Sequence, residues 1–301
     1  MSVEQVLRCA SCGIAEIDDV KLVPCDGCDL VRYCSDDCRN NHQPEHQEVC
    51  KKRAAELRDE LLFKQPESSC LGDCPICCIP LPFDMDRFIS YECCSKIICK
   101  GCVTTIFLRG DGFINDMSCP FCRTVARTHE ESDKLRMKRV QANDPAALCQ
   151  EGIRQYIKEN YSRAFEYITK AAELGDTRAH FRLACLYHEG KGVQKDEGKM
   201  IYHLEEAAIA GHPDARYLLG DHEYKNDNLD RAVKHFIIAA SQGEDESIKM
   251  LMKAFKQGHV SKDDLAVALR AHKAAVDATK SPERELEKII TSSSPNRSVG
   301  R

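Results

Sequence analysis

Residues 9–50 carry the pattern Cys9-x2-Cys12-x12-Cys25-x2-Cys28-x5-Cys34-x3-Cys38-x7-His46-x3-Cys50. A second ladder follows at Cys74-x2-Cys77, the adjacent pair Cys93 and Cys94, Cys99-x2-Cys102 and Cys119-x2-Cys122. Seventeen of the nineteen cysteines lie in the first 122 residues, and each ladder supplies eight donors, together enough for four tetrahedral zinc ions. The amino-terminal half is therefore expected to be built by metal.

A disulfide framework would need an oxidising compartment. The opening Met-Ser-Val-Glu-Gln-Val-Leu-Arg has no apolar run of signal-peptide length, and no 18 uncharged apolar residues follow one another anywhere in the chain. The expectation is an intracellular protein of the cytoplasm or nucleus with no membrane partner, where reduced Cys-x2-Cys pairs bind zinc. Composition bounds the rest. At 301 residues, with 30% charged residues and a formal charge of −5, two or three ordinary domains are expected. Over residues 1–140, 19 Lys and Arg stand against 23 Asp and Glu, so the zinc half lacks the positive field that draws nucleic acid.

From residue 143 onward the chain repeats itself. Lys170-Ala-Ala-Glu-Leu-Gly-Asp, Glu206-Ala-Ala-Ile-Ala-Gly-His and Ile238-Ala-Ala-Ser-Gln-Gly-Glu align, and the glycines Gly175, Gly211 and Gly243 are 36 and then 32 residues apart. That period predicts stacked helix pairs. Small residues such as Ala171, Ala207 and Ala239 permit close helix approach, and each glycine can end a helix in the left-handed conformation. Asp144-Pro145 and His212-Pro213 place proline at the first position of two helices, where it forfeits no hydrogen bond. Ahead of the repeats, residues 51–65 space Ala54, Leu57 and Leu61 as a short amphipathic helix. Residues 128–142, with only Leu135, Met137 and Val140 as large apolar residues, read as a solvated helix or linker. The Ser-, Pro- and charge-rich stretch 279–301 is expected to be disordered.

Three resemblances follow from these residues. The run Ala179-His-Phe-Arg-Leu-Ala-Cys-Leu-Tyr-His-Glu-Gly190-Lys-Gly192-Val-Gln-Lys-Asp196 resembles the Sel-one-like branch of the tetratricopeptide superfamily. The units from Asn143 and Pro213 lack the glycine loop, and the unit after Asp245 is degenerate, as a terminal cap would be. The eight-ligand pattern of residues 9–50, with Tyr33-Cys34-Ser35, resembles the MYND zinc finger. That resemblance implies interleaved sites, Cys9, Cys12, Cys34 and Cys38 for one ion and Cys25, Cys28, His46 and Cys50 for the other. His42, one turn before His46, competes as a ligand, and the family's His-x3-Cys ending selects His46. Peptide-binding MYND fingers use a Gln and a Trp where this chain has Arg39 and Gln43, and no Trp occurs anywhere in it. A structural role and peptide recognition both stay open for this finger.

Residues 74–123 resemble a RING finger, with Cys74-Pro-Ile-Cys77, Cys99-Lys-Gly-Cys102 and Cys119-Pro-Phe-Cys122-Arg123 in place. Most RINGs have a histidine where Lys96 stands, and an ammonium does not bind zinc. Either Cys93 and Cys94 both ligate, or Cys94 does so with a fourth ligand from elsewhere. The cross-braced arrangement of the family implies Cys74, Cys77, Cys99 and Cys102 for one ion and Cys93, Cys94, Cys119 and Cys122 for the other. All-cysteine sites leave no place for a reacting water, which disfavours a hydrolytic zinc enzyme. The resemblance further implies docking of a ubiquitin-conjugating enzyme through Ile76, Ile106 or Phe107, and Pro120, with Arg123 bonding ubiquitin and its carrier, a catalysis by orientation. Cys70 and Cys78 read as spares, and Cys149 and Cys185 as buried apolar residues of the repeats. His180 and His188, flanking Cys185, are a weak helical metal constellation.

The expected fold class is small zinc-stabilised α+β modules followed by an all-α helical-repeat solenoid. The segments are a MYND-type finger at 9–50, a helical linker at 51–69, a variant RING-type finger at 70–126, a charged linker helix at 127–142, repeats at 143–278 and the tail at 279–301. The expected function is protein interaction, as a RING-type ubiquitin ligase or ligase subunit whose repeats hold a client. The alternative is a non-enzymatic scaffold that assembles proteins. Lysine methyltransfer, a third possibility because MYND fingers often interrupt methyltransferase domains, finds no cofactor-binding or catalytic signature.

Overall fold

Apolar residues are too few between the first eight ligands to build a core, and the fold around them is correspondingly sparse. The computed structural model describes residues 7–17, 19–109, 118–125 and 128–292, and the chain divides into two units, Met1–Lys64 and Gln65–Arg301. In the first unit β1 (Val23–Pro24) pairs antiparallel with β2 (Arg32–Tyr33), and among the described residues Cys9, Leu22 and Tyr33 form a small buried cluster. Helix α1 (Asp36–Leu62) starts where the Ser35 hydroxyl accepts from the Cys38 amide, with Asp36 and Asp37 favourably placed at its positive end. It runs without a break through Cys38, His46 and Cys50, so the helix foreseen at 51–65 continues the finger's own helix. Pro44 lies inside it.

The second unit begins with β3 (Phe88–Ser90) paired antiparallel to β4 (Ile97–Cys99), followed by α2 (Lys100–Arg109). Cys74, Leu81, Phe88, Ile98, Cys99, Cys102 and Val103 make its small core. Helix α3 (His129–Gln141), capped by the Thr128 hydroxyl, leads into the repeats. It is not the solvated linker that its charge suggests. Arg136 and Val140 are buried, because Arg136 finds carboxylates on both sides, Glu92 just before Cys93 and Glu151 on the first repeat helix.

The repeats are helix pairs: α4 (Pro145–Ile157) with α5 (Tyr161–Glu173), α6 (Thr177–Glu189) with α7 (Glu197–Ile209), and α8 (Pro213–Lys225) with α9 (Leu229–Ser241). A fourth pair, α10 (Asp245–Lys256) and α11 (Lys262–Ala278), closes the stack. Gly175, Gly211 and Gly243 all have φ between 86° and 89°, the left-handed turn between pairs that alanine would strain. Helices start on side-chain caps at Asp144, Asp176, Asp196 and, unusually, His212, whose Nδ1 accepts from the Ala215 amide at 3.3 Å. Within pairs the contact is close: a Cβ on Gly152 would meet Ile168 Cγ1 at 2.4 Å, and one on Gly220 would meet Phe236 Cε1 at 2.7 Å.

The cysteine-rich module of this unit packs on the repeats. Ser95 Oγ donates to Asp144 at 3.0 Å, Gln150 bonds Ser90, and Phe83 meets the His212 ring edge-on at 4.5 Å. The chain then returns to it. Helix α12 (Pro282–Ser292) occupies 11 of the 23 residues expected to be disordered, with Ser281 Oγ accepting from the Arg284 amide, and it packs along α2. Residues 293–301 of that stretch lie outside the described residues.

Candidate metal centres

Four groups of donors converge, and within each all four ligand atoms lie within 4.8 Å of one another. The groups are Cys9, Cys12, Cys34 and Cys38; Cys25, Cys28, His46 and Cys50; Cys74, Cys77, Cys99 and Cys102; and Cys93, Cys94, Cys119 and Cys122. Sulfur–sulfur distances include 3.5 Å for Cys12 and Cys34, 3.7 Å for Cys25 and Cys50, 3.9 Å for Cys74 and Cys102, and 3.6 Å for Cys94 and Cys119. Tetrahedral zinc with bonds near 2.3 Å puts its sulfurs about 3.8 Å apart, whereas a disulfide would need about 2.05 Å. All nineteen cysteines are free thiols. The donor sets thus fit a dication and do not fit disulfides.

Local backbone builds each corner. After Cys9 the chain turns through Gly13, whose amide donates to the Cys9 carbonyl, and the same turn recurs at Cys74 with Cys78 and at Cys119 with Arg123. Cys78 and Arg123 adopt φ of 54° and 56° there. These turns aim amide groups at sulfur. Burial pushes the Cys9 thiol up, but amides of Cys12, Cys34 and Ser11 outweigh it and bring it down to about 6. Against burial, the same type of contact brings Cys74 down to about 7, and hydrogen bonding to Thr124 brings Cys122 to about 6. Their neighbours move oppositely: contact with Cys12 and Cys38 raises Cys34 to about 12, and burial beside Cys25 and Cys28 raises Cys50 to about 12. In the first group the Cys9 thiolate forms readily while Cys34 resists ionising beside its neighbours, the state that a shared cation resolves.

In the second group His46 Nε2 stands 3.2 Å from Cys28 Sγ. His42 is not a ligand: its Nδ1 shares a 3.0 Å hydrogen bond with the Tyr33 hydroxyl and its ring stacks on His46. Arg39 and Gln43 line a cavity of about 380 Å³ beside Cys25, Tyr33 and His46, where Arg39 is held by Asp26 at 2.8 Å. In the fourth group Cys93 and Cys94 both point inward, Cys93 Sγ lying 3.3 Å from Cys122 Sγ. The adjacent pair can do so because Ser95 turns with φ of 56° at the end of the β3–β4 hairpin. Lys96 has no place in the group.

Ile76, Ile106 and Phe107 are exposed, as are Pro120 and Arg123 at the last corner. Cys70 and Cys78 join no group, and burial raises the Cys70 thiol to about 12. Cys149 is buried in the first repeat, where burial raises its thiol to about 12, and burial likewise raises Cys185. His180, Cys185 and His188 do not converge among the described residues; His180 instead meets His203, Nδ1 to Nδ1, at 3.1 Å. Sequence reasoning missed Arg284, which reaches the third group from α12 by donating to Cys77 Sγ at 3.5 Å. No local signal marks it, since its partners are some 200 residues away.

Residues 9–50 match the MYND finger, and residues 146–176, 177–212 and 213–244 match three Sel1 repeats. The chain therefore carries a MYND finger and a Sel1-repeat solenoid, and zinc is its cofactor. Among curated proteins it is similar to the DAP3-binding cell death enhancer 1 of Mus musculus, 25% identical over an alignment of 166 positions that covers 42% of this chain and 32% of that protein. It is also similar to chitin synthase regulatory factor 4 of Schizosaccharomyces pombe, 33% identical over 86 residues, 28% of this chain and 14% of that one. The chain thus covers about a third or less of either relative. Among solved structures, a Sel1 repeat protein from Oxalobacter formigenes is 25% identical with a TM-score of 0.45, over 52% of this chain and 67% of that one. Among the described residues, no helix is long and apolar enough to cross a membrane.

Proposed function

We propose that this zinc-binding interaction protein is a RING-type ubiquitin ligase, or a ligase subunit, of the cytoplasm or nucleus. Its second cysteine module orients a ubiquitin-charged conjugating enzyme toward a client bound by the Sel1 repeats, and four zinc ions hold the two modules. The observation that carries the reading is the exposure of Ile76, Pro120 and Arg123 at the corners of two cross-braced four-cysteine groups, with Ile106 and Phe107 exposed on the helix between them. A small protein core ordinarily buries isoleucine and phenylalanine, so leaving three of them in solvent around a rigid frame suits a docking surface. No residue need react: the module would raise the rate by holding the thioester in an attackable pose.

The test is a ubiquitination assay with zinc-loaded protein and a panel of conjugating enzymes. Chains that form with the wild type and are lost with Ile76→Ala and with Arg123→Ala support the proposal. No transfer with any enzyme, with binding partners retained by Ile76→Ala, leaves the scaffold role that the MYND finger and the repeats already support and refutes the ligase.

A further inference from the structure

We propose that helix α12 is a working part of the second cysteine module, with Arg284 as the outer cation of the site formed by Cys74, Cys77, Cys99 and Cys102. Arg284 is 3% exposed. Its Nη1 donates to the carbonyls of Pro80 at 2.7 Å and Thr279 at 2.6 Å, and its Nη2 to the carbonyl of Ile79 at 3.0 Å and to Cys77 Sγ at 3.5 Å. Among the described residues these bonds include no carboxylate. A buried guanidinium without a carboxylate needs another negative partner. Four thiolates around a divalent ion supply one, because together they keep a net negative charge. The arrangement serves both sides: the cation offsets the charge of the thiolates, and its fork holds the Ile79–Pro80 backbone that follows Cys77.

A second feature points the same way. Gly101, directly before Cys102, is buried, and a Cβ there would lie 2.7 Å from the Arg284 amide nitrogen and 2.8 Å from its Cα. Only glycine lets the two backbones meet so closely. Helix α12 also leaves Ile76 and Ile106 in solvent, so it braces the module without covering the residues proposed to dock a partner. The end of the solenoid is thereby tied to a zinc site 200 residues earlier in the chain. The inference needs zinc in the module and is independent of ubiquitin transfer.

Transfer of zinc from the full-length protein to a chromophoric chelator tests it, together with cadmium-113 NMR of the cadmium-substituted chain. Removing an outer-shell partner weakens a metal site by roughly 10–100-fold. Arg284→Gln should therefore release one of the four equivalents about tenfold or more faster and move one cadmium resonance, while Arg284→Lys restores part of the retention. Gly101→Ala changes no charge and carries the test if Arg284→Gln does not fold. Alanine is the better helix former, so an undocked α12 predicts equal or tighter retention, and a docked one predicts faster release. Unchanged release in Gly101→Ala, or an equal acceleration of all four equivalents, overturns the proposal.

Discussion

Arg136 offers the sharpest test of how the cysteine module is joined to the solenoid. Its side chain is 4% exposed, and it donates to Glu151 Oε2 at 2.8 Å and to Glu92 Oε1 at 3.0 Å, with Asp133 at 2.8 Å. Replacing it by methionine keeps the stem's packing and removes the charge. Asp133 would still have Arg154 at 2.9 Å, and Glu92, 26% exposed, would keep Arg154 at 3.8 Å. Among the described residues Glu151, 7% exposed, would keep the Gln155 amide at 2.6 Å. Breaking a buried pair by removing one partner costs about 3–5 kcal/mol. With one carboxylate of three stranded, the lower end applies, about 3 kcal/mol, which moves a urea midpoint by about 1–3 M. Unfolding of the zinc-saturated protein followed by far-ultraviolet circular dichroism measures it. Glu151→Gln added to Arg136→Met removes the stranded charge and should recover a good part of the loss. If the two changes simply add to within about 0.5 kcal/mol, the buried joint is not what couples α3 to α4.

Three further outcomes follow from the same geometry. Gly220→Ala should lower the thermal midpoint, since overpacking against Phe236 at about 1–3 kcal/mol exceeds the roughly 0.5–1 kcal/mol gained in helix propensity; a raised midpoint would mean the helices are not so close. His212 is lowered to about 3 by burial and by Arg182 and Arg178, so its neutral form stabilises the fold above the ordinary histidine value, and that contribution is lost as pH falls from about 6.5 toward 3. His212→Asn keeps a capping side chain, and its stability deficit relative to wild type should shrink between pH 7.5 and about pH 5; a constant deficit would show that His212 does not titrate on unfolding. Cys70→Ser should retain the full zinc content by mass spectrometry while Cys94→Ser loses one ion, and equal loss in both would reassign the fourth group.

The solenoid and the ligand ladders were legible because their determinants are local. A Gly175-type turn, an alanine seam and a Cys-x2-Cys corner each declare themselves within a few residues. Whether Cys93 and Cys94 both turn inward depends on the hairpin between Ile89 and Ile98 and on the Ser95 turn, which spacing alone does not determine. The two misread segments, 128–142 and 279–301, share one cause. Their charge reads as solvation, yet Arg136 and Arg284 are buried because their partners, Glu92 and Glu151 for one and the Cys77–Pro80 corner for the other, come from distant parts of the chain. A charged helix and a charged helix with buried partners have the same composition.

Metal at all four donor groups underlies both cysteine modules, and native mass spectrometry of the full chain tests that most directly. Full occupancy predicts a mass excess of four zinc ions that a strong chelator removes with loss of the far-ultraviolet signal of the first unit. A chain that carries two ions or fewer when purified with zinc present, or that keeps its fold after complete removal of metal, would contradict it.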